Sequence, residues 1–141
     1  MTIIKNKKII IYTDGGARGN PGPAGIGAVL IDGEDENKIL GQYKEYIGET
    51  TNNQAEYAAV VLGLQKAKGL KPEEVEVRMD SELICSQING TFKIKNPDFQ
   101  ESFIKIWNLK QSFKKITFKH IRREQNKLAD KLVNQAIDQK E

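Results

Sequence analysis

One cysteine, one histidine, one tryptophan and four prolines are all that 141 residues hold of these types. The lone Cys85 rules out an internal disulfide, and without a His/Cys cluster around it the sequence argues against a structural zinc site. A reducing compartment fits that usage. Long apolar runs are missing too: Ile9 to Tyr12 and Ala58 to Leu62 are far too short to cross a bilayer. The stretch Met1 to Lys8 has lysines but neither the apolar centre nor the small-residue cleavage site of a secretion signal. A cytoplasmic protein with no membrane partner is therefore expected.

What is present suits an ordinary globular chain. Hydrophobic residues make up 38% and charged residues 29%. This length buries enough apolar surface to fold without staples, so one domain spanning 1–141 is expected, as a monomer. The net charge of +3 says little by itself, but its distribution is uneven. Lys110 to Lys127 holds seven Lys/Arg and one Glu, whereas Asp32 to Glu49 holds six Asp/Glu and two Lys. Such a split points to one basic surface able to meet a polyanion, or to a solvated helix end and loop.

Along the chain, Lys8 to Thr13 reads as a buried strand entering a turn at Asp14-Gly15-Gly16. The glycines and prolines of Ala17 to Gly25 predict a loop. Gly27 to Ile31 and Ile39 to Ile47 read as two further strands of an antiparallel meander. Asn53 to Lys68 has the composition and spacing of a helix, closed by Gly69 and Pro72. Glu74 to Met79 alternates as a strand and Ser81 to Ile88 reads as a short helix. Pro97 opens a helix carrying Phe99, Phe103, Ile106, Trp107 and Leu109. Ile116 to Ile121 is a last strand, and Lys127 to Gln139 a terminal helix. The order predicts a mixed sheet with helices laid on it.

Four carboxylates fall where such a sheet could use them: Asp14 ending the first strand, Glu56 in the first turn of the first long helix, Asp80 just past the fourth strand, and Asp130 early in the last helix. Each has a plainer reading. Asp14 suits a turn, Glu56 a capping box opened by Asn53, Asp80 a helix cap, and Asp130 a surface charge beside Lys127 and Lys131. Convergence favours a site, since ligands gather beyond the carboxyl ends of strands near a topological switch point. Crowded acids repel unless cations neutralise them, and oxygen-bound divalent ions are the natural occupants. The glycine-rich stretch lacks the Gly-Lys-Ser/Thr ending of a P-loop and the third glycine of a dinucleotide fingerprint, so no nucleotide cofactor is expected.

Four blocks in order resemble the type 1 ribonuclease H family: Tyr12 to Gly25 (YTDGGARGNPGPAG), Thr50 to Glu56 (TTNNQAE), Met79 to Glu82 (MDSE) and His120 to Asp130 (HIRREQNKLAD). The resemblance implies a ribonuclease H-like α/β fold, a five-stranded mixed β-sheet flanked by α-helices. It also implies an endonuclease that cuts the RNA strand of RNA/DNA hybrids with two Mg²⁺ ions, Mn²⁺ substituting, and leaves 3′-OH and 5′-phosphate ends. Asp14, Glu56, Asp80 and Asp130 would then be the catalytic metal ligands. Gly19, Asn20, Asn52, Asn53 and Ser81 would meet the hybrid in the minor groove, where 2′-hydroxyls are displayed. Thr51 would add a phosphate contact. His120 holds the family's position for a mobile histidine assisting catalysis or product release, and Arg123 is its competitor, since a guanidinium pairs with phosphate.

Longer members insert a basic, Trp-containing handle after the second helix, where this sequence has only Phe92, Lys93 and Lys95. No hybrid-binding domain is expected before Met1. Weak substrate grip is expected. Two alternatives stay open on the sequence: a catalytically dead binding module on the same fold, and a same-fold nuclease preferring structured or double-stranded RNA.

Overall fold

The computed structural model describes residues 7–90 and 97–140, with side chains from Phe99 in the second stretch; Phe92, Lys93 and Lys95 lie outside the described residues. Five strands form one sheet: β1 Lys8–Ala17, β2 Gly22–Asp32, β3 Asp35–Thr50, β4 Glu74–Met79 and β5 Lys115–His120. Their spatial order is β3-β2-β1-β4-β5, antiparallel across β3, β2 and β1 and parallel across β1, β4 and β5. Four helices accompany them: α1 Asn52–Leu70, α2 Glu82–Asn89, α3 Pro97–Lys110 and α4 Lys127–Asp138, the last preceded by a 3-10 turn at Arg123–Gln125. This is the ribonuclease H-like fold. Among the described residues no helix is long and apolar enough to cross a membrane.

Strand parity decides which helix covers which face. On one face β1 presents Ile9 and Ile11, and β4 presents Val75, Val77 and Met79, all buried against α1, α2 and Phe118. α1 is buried on several sides because it lies between sheet and α3. Tyr57 is fully buried, with its ring centroid 5.1 Å from that of Phe99 and its hydroxyl donating to Gln87 Oε1 at 2.6 Å. Each such large side chain removed from water contributes about 1.5–3 kcal/mol. Trp107 of α3, by contrast, is 55% exposed, and Ile106 carries that turn's burial.

On the opposite face α4 lies on β2, where a Cβ on Gly27 would stand 2.7 Å from the Ala129 carbonyl oxygen and 2.9 Å from Leu132 Cβ. Only glycine lets the helix lie so close. The same face of β4 is charged: Arg78 donates to Glu76 at 2.5 Å and to the Tyr12 hydroxyl at 2.6 Å, and Lys8 reaches Glu76 at 3.2 Å. That face has no apolar stripe on which a helix could settle, which keeps α4 over β2, β3 and β1.

The segment predicted as a loop from Ala17 to Gly25 is mostly strand. β1 runs on to Ala17 and β2 starts at Gly22, so only residues 18–21 turn. Arg18 N–H donates to the Pro23 carbonyl at 2.8 Å and closes that turn. The glycines are placed for close packing as much as for turning.

Candidate active site

β1 and β4 pair as far as Thr13 and Met79, after which β4 ends and the chain leaves at Asp80. Beyond that point the edge of β1 has lost its partner strand, and buried backbone groups need other partners. The Thr13 carbonyl accepts from Asn126 Nδ2 at 2.9 Å, the Gly15 N–H donates to Glu56 Oε1 at 2.6 Å, and the Ala17 N–H donates to Asn52 Oδ1 at 2.7 Å. Side chains from α1 and from the residue before α4 therefore complete the rungs that β4 leaves open. Gly15 is what admits α1 here, since a Cβ would stand 2.2 Å from the Ala55 carbonyl oxygen.

This arrangement brings the acids together. One carboxylate oxygen each from Asp14, Glu56 and Asp80 lies within 4.8 Å of the other two. Asp14 is not the last residue of β1, as expected, but sits three residues before its end, where only β2 still pairs with it. Glu56 belongs to the second turn of α1. The helix is capped instead by Thr51, whose hydroxyl accepts from the Gln54 N–H at 3.2 Å, which leaves the Glu56 carboxylate free for Gly15. Ser81 caps α2 by accepting from the Ile84 N–H at 3.3 Å, so Asp80 is not the cap. Asp130, in the first turn of α4, lines the same cleft and comes within hydrogen-bonding reach of Asp14.

Burial, and then the neighbouring Glu56 and Asp80 charges, push the Asp14 carboxyl from 3.8 up to about 9. Glu56 is raised from 4.5 to about 7, chiefly by burial, with the Gly15 N–H holding it back. The two share their titration, because carboxylates this close cannot both ionise freely. Without a cation, the cluster holds a proton. The donor set is all oxygen and strongly anionic, which fits Mg²⁺ or Mn²⁺ and does not resemble the thiolate and imidazole sites that favour zinc.

The cleft above the acids has a volume of about 360 Å³, and Asn52, Asn53, Ser81 and Arg123 form part of its wall. Asn20 stands beside it, its Oδ1 accepting from the Asn52 N–H at 3.1 Å. Gly19 makes the turn before it with φ of +102°, a conformation that favours glycine. His120 is exposed at the end of β5, in register with Met79, and is not among the cleft's lining residues.

The profile of the family described as "Reverse transcriptase-like" matches residues 12–136. A bifunctional protein of Mycobacterium tuberculosis is 41% identical over 131 residues, which are 93% of this chain but 36% of the relative, so the chain spans about a third of that protein. Ribonuclease HI of Halobacterium salinarum is 36% identical over 131 residues, covering 93% of this chain and 65% of the relative. The crystal structure of a ribonuclease H1 isolated from compost by a metagenomic approach, in complex with RNA/DNA hybrid, superposes with a TM-score of 0.84 at 52% identity, covering 92% of this chain and 96% of the other. The chain belongs to the ribonuclease H family. Its acidic cluster is of the kind associated with Mg²⁺-dependent ribonucleases H.

Within this ribonuclease H fold one residue at the centre was not singled out from sequence. Asn126 is 1% exposed, and besides the Thr13 carbonyl its Nδ2 donates to Asp80 Oδ2 at 3.2 Å. Its Oδ1 has no hydrogen-bonding partner among the described residues. Leaving a buried acceptor unpaired costs about 1–3 kcal/mol. The sequence signal was an Asn one helical turn before Asp130, which reads equally well as an ordinary cap.

Proposed function

We propose that this chain is an endonuclease that hydrolyses the RNA strand of RNA/DNA hybrids, using two divalent ions held by Asp14, Glu56, Asp80 and Asp130. The observation that carries the proposal is the meeting of three carboxylates within 4.8 Å at the floor of an open cleft walled by amides and a guanidinium. A mere binding module would gain nothing from buried acids that repel one another. Divalent ions at such a site activate a water and stabilise the leaving oxygen of a phosphodiester. The side chains have separate tasks. The Gly15 N–H holds Glu56 Oε1 and so fixes the carboxylate at the cleft. Asn52, Asn53 and Ser81, with Gly19 and Asn20 beside them, offer amide, hydroxyl and peptide groups suited to ribose 2′-hydroxyls. Arg123 supplies a cation for a phosphate, Thr51 contributes from the cap of α1, and His120 assists departure of the product from the cleft's edge.

The test uses labelled RNA/DNA hybrid, single-stranded RNA, double-stranded RNA and duplex DNA, each with Mg²⁺ and with chelator. The expected result is metal-dependent cutting of the RNA strand of the hybrid alone, with 3′-OH and 5′-phosphate ends. Hybrid binding without cutting at any Mg²⁺ or Mn²⁺ concentration would overturn catalysis. Preferential cutting of double-stranded RNA would overturn the substrate.

A further inference from the structure

We propose that Asn126 is a positioning residue that sets the orientation of Asp80 and holds Asp130 in register with it, and that metal affinity depends on its side-chain amide. The proposal rests on reading the cleft as a metal-dependent nuclease centre. Asn126 stands at the N-cap position of α4, where an Asn side chain ordinarily accepts a bond from the helix's own first turn. Here it makes no cap bond. Its side chain turns into the protein and spends both N–H groups elsewhere: one on the Thr13 carbonyl at 2.9 Å, the other on Asp80 Oδ2 at 3.2 Å. Both neighbours are acceptors, so the amide can face only this way round.

Three of the four acids are tied to this one residue. Thr13 precedes Asp14, Asp80 is bonded directly, and the Asn126 carbonyl accepts from the Asp130 N–H at 3.1 Å. The amide sits where β1 and β4 part and fixes that junction to the start of α4. The bond from Asn126 to Oδ2 fixes the Asp80 carboxylate, one oxygen of which lies within 4.8 Å of oxygens of Asp14 and Glu56. Partners that orient a metal ligand from behind in this way typically change metal affinity or activity by about 10–100-fold when removed.

The experiment compares wild type with Asn126→Leu, which keeps the branched four-atom side chain and removes the donors. Mn²⁺ binding is measured by calorimetry without nucleic acid, alongside kcat and KM on hybrid and the circular dichroism spectrum. The expected result is a folded variant with Mn²⁺ affinity lowered about tenfold or more, kcat lowered at subsaturating metal and recovering as Mn²⁺ is raised, and KM for hybrid within about twofold. A folded variant with wild-type Mn²⁺ affinity would overturn the proposal, whatever its kcat. If the variant does not fold, the wild-type Asn126 side-chain amide resonances decide: they should move as Mg²⁺ is titrated, and resonances that stay fixed through saturation overturn it. Wild type that neither binds Mn²⁺ nor cuts hybrid would overturn the proposed function, and this inference with it. Wild type that does both, beside a variant that does both equally well, would overturn this inference alone.

Discussion

Replacing Asp14 by Asn should make the metal-free protein more stable while destroying its response to Mg²⁺. Asp14 is raised from 3.8 to about 9 by burial and by the Glu56 and Asp80 charges. The folded protein therefore holds a proton that the unfolded chain releases, so wild-type stability falls as pH rises from about 4 towards about 9. Holding that proton costs about 1.4 kcal/mol for each pH unit above 3.8, hence at most about 4 kcal/mol at pH 7 and under about 2 kcal/mol at pH 5. Glu56 shares the burden, which brings the expected gain of Asp14→Asn to roughly 2 kcal/mol at pH 7. At about 4 °C per kcal/mol for a chain of this size, the melting temperature should rise by roughly 8 °C in EDTA. The Asn amide can donate to Glu56 as the protonated carboxyl does. Saturating Mg²⁺ should then invert the order of the two proteins, since a ligand at a hundred times its dissociation constant stabilises by about 2.7 kcal/mol and the variant lacks a ligand. Thermal melts at pH 5, 7 and 8.5, with EDTA and with Mg²⁺, provide the check. A pH-independent difference between the proteins, a lower melting temperature of the variant in EDTA, or equal Mg²⁺ responses would each refute the reasoning.

Gly27→Ala puts a methyl 2.7 Å from the Ala129 carbonyl oxygen, so a lower urea midpoint is expected, worth about 1–3 kcal/mol, with cleavage impaired because Asp130 moves with α4; an unchanged midpoint would place the helix further from β2. Arg123→Ala should weaken hybrid binding and reduce its salt slope by about 1, while His120→Ala should leave KM unchanged and lower kcat by roughly tenfold or more; the reverse pattern would exchange their roles. Lys114 and Lys115 to Ala together should leave the melting temperature alone, since the Lys114–Glu73 pair at 3.6 Å is exposed. The same double change should weaken binding of all hybrid sequences alike and flatten the salt dependence by about 2; unaltered binding would take β5's edge off the substrate track.

Local chemistry made much of this legible. Alternating Val75 and Val77, the proline before Asp98 and the spacing of Leu132, Val133 and Ala136 each announce an element with its own period. Four short blocks carried the acids. The glycines misled, because a residue without a side chain looks the same in sequence whether it turns the chain or lets another element press against it. Gly15 and Gly25 do the second, against Ala55 and Val133, partners 40 and more residues away. Asn126 was hidden for a related reason: its bonds reach Thr13 and Asp80, 113 and 46 residues distant, while its nearest neighbours make it look like a cap. Trp107 was one of five apolar residues carried by that helix, yet it is 55% exposed and α3 meets the core through Ile106.

The open edge of β1 bears on how the acidic cluster comes together. Its rungs are finished by α1 and by the start of α4, elements far apart in the sequence and on opposite faces of the sheet. β1, α1 and β4 can bring Asp14, Glu56 and Asp80 together, but only a docked α4 adds Asp130 and the Asn126 bond to Asp80. A copy in which α4 has not docked would therefore lack Asp130 beside the other three acids.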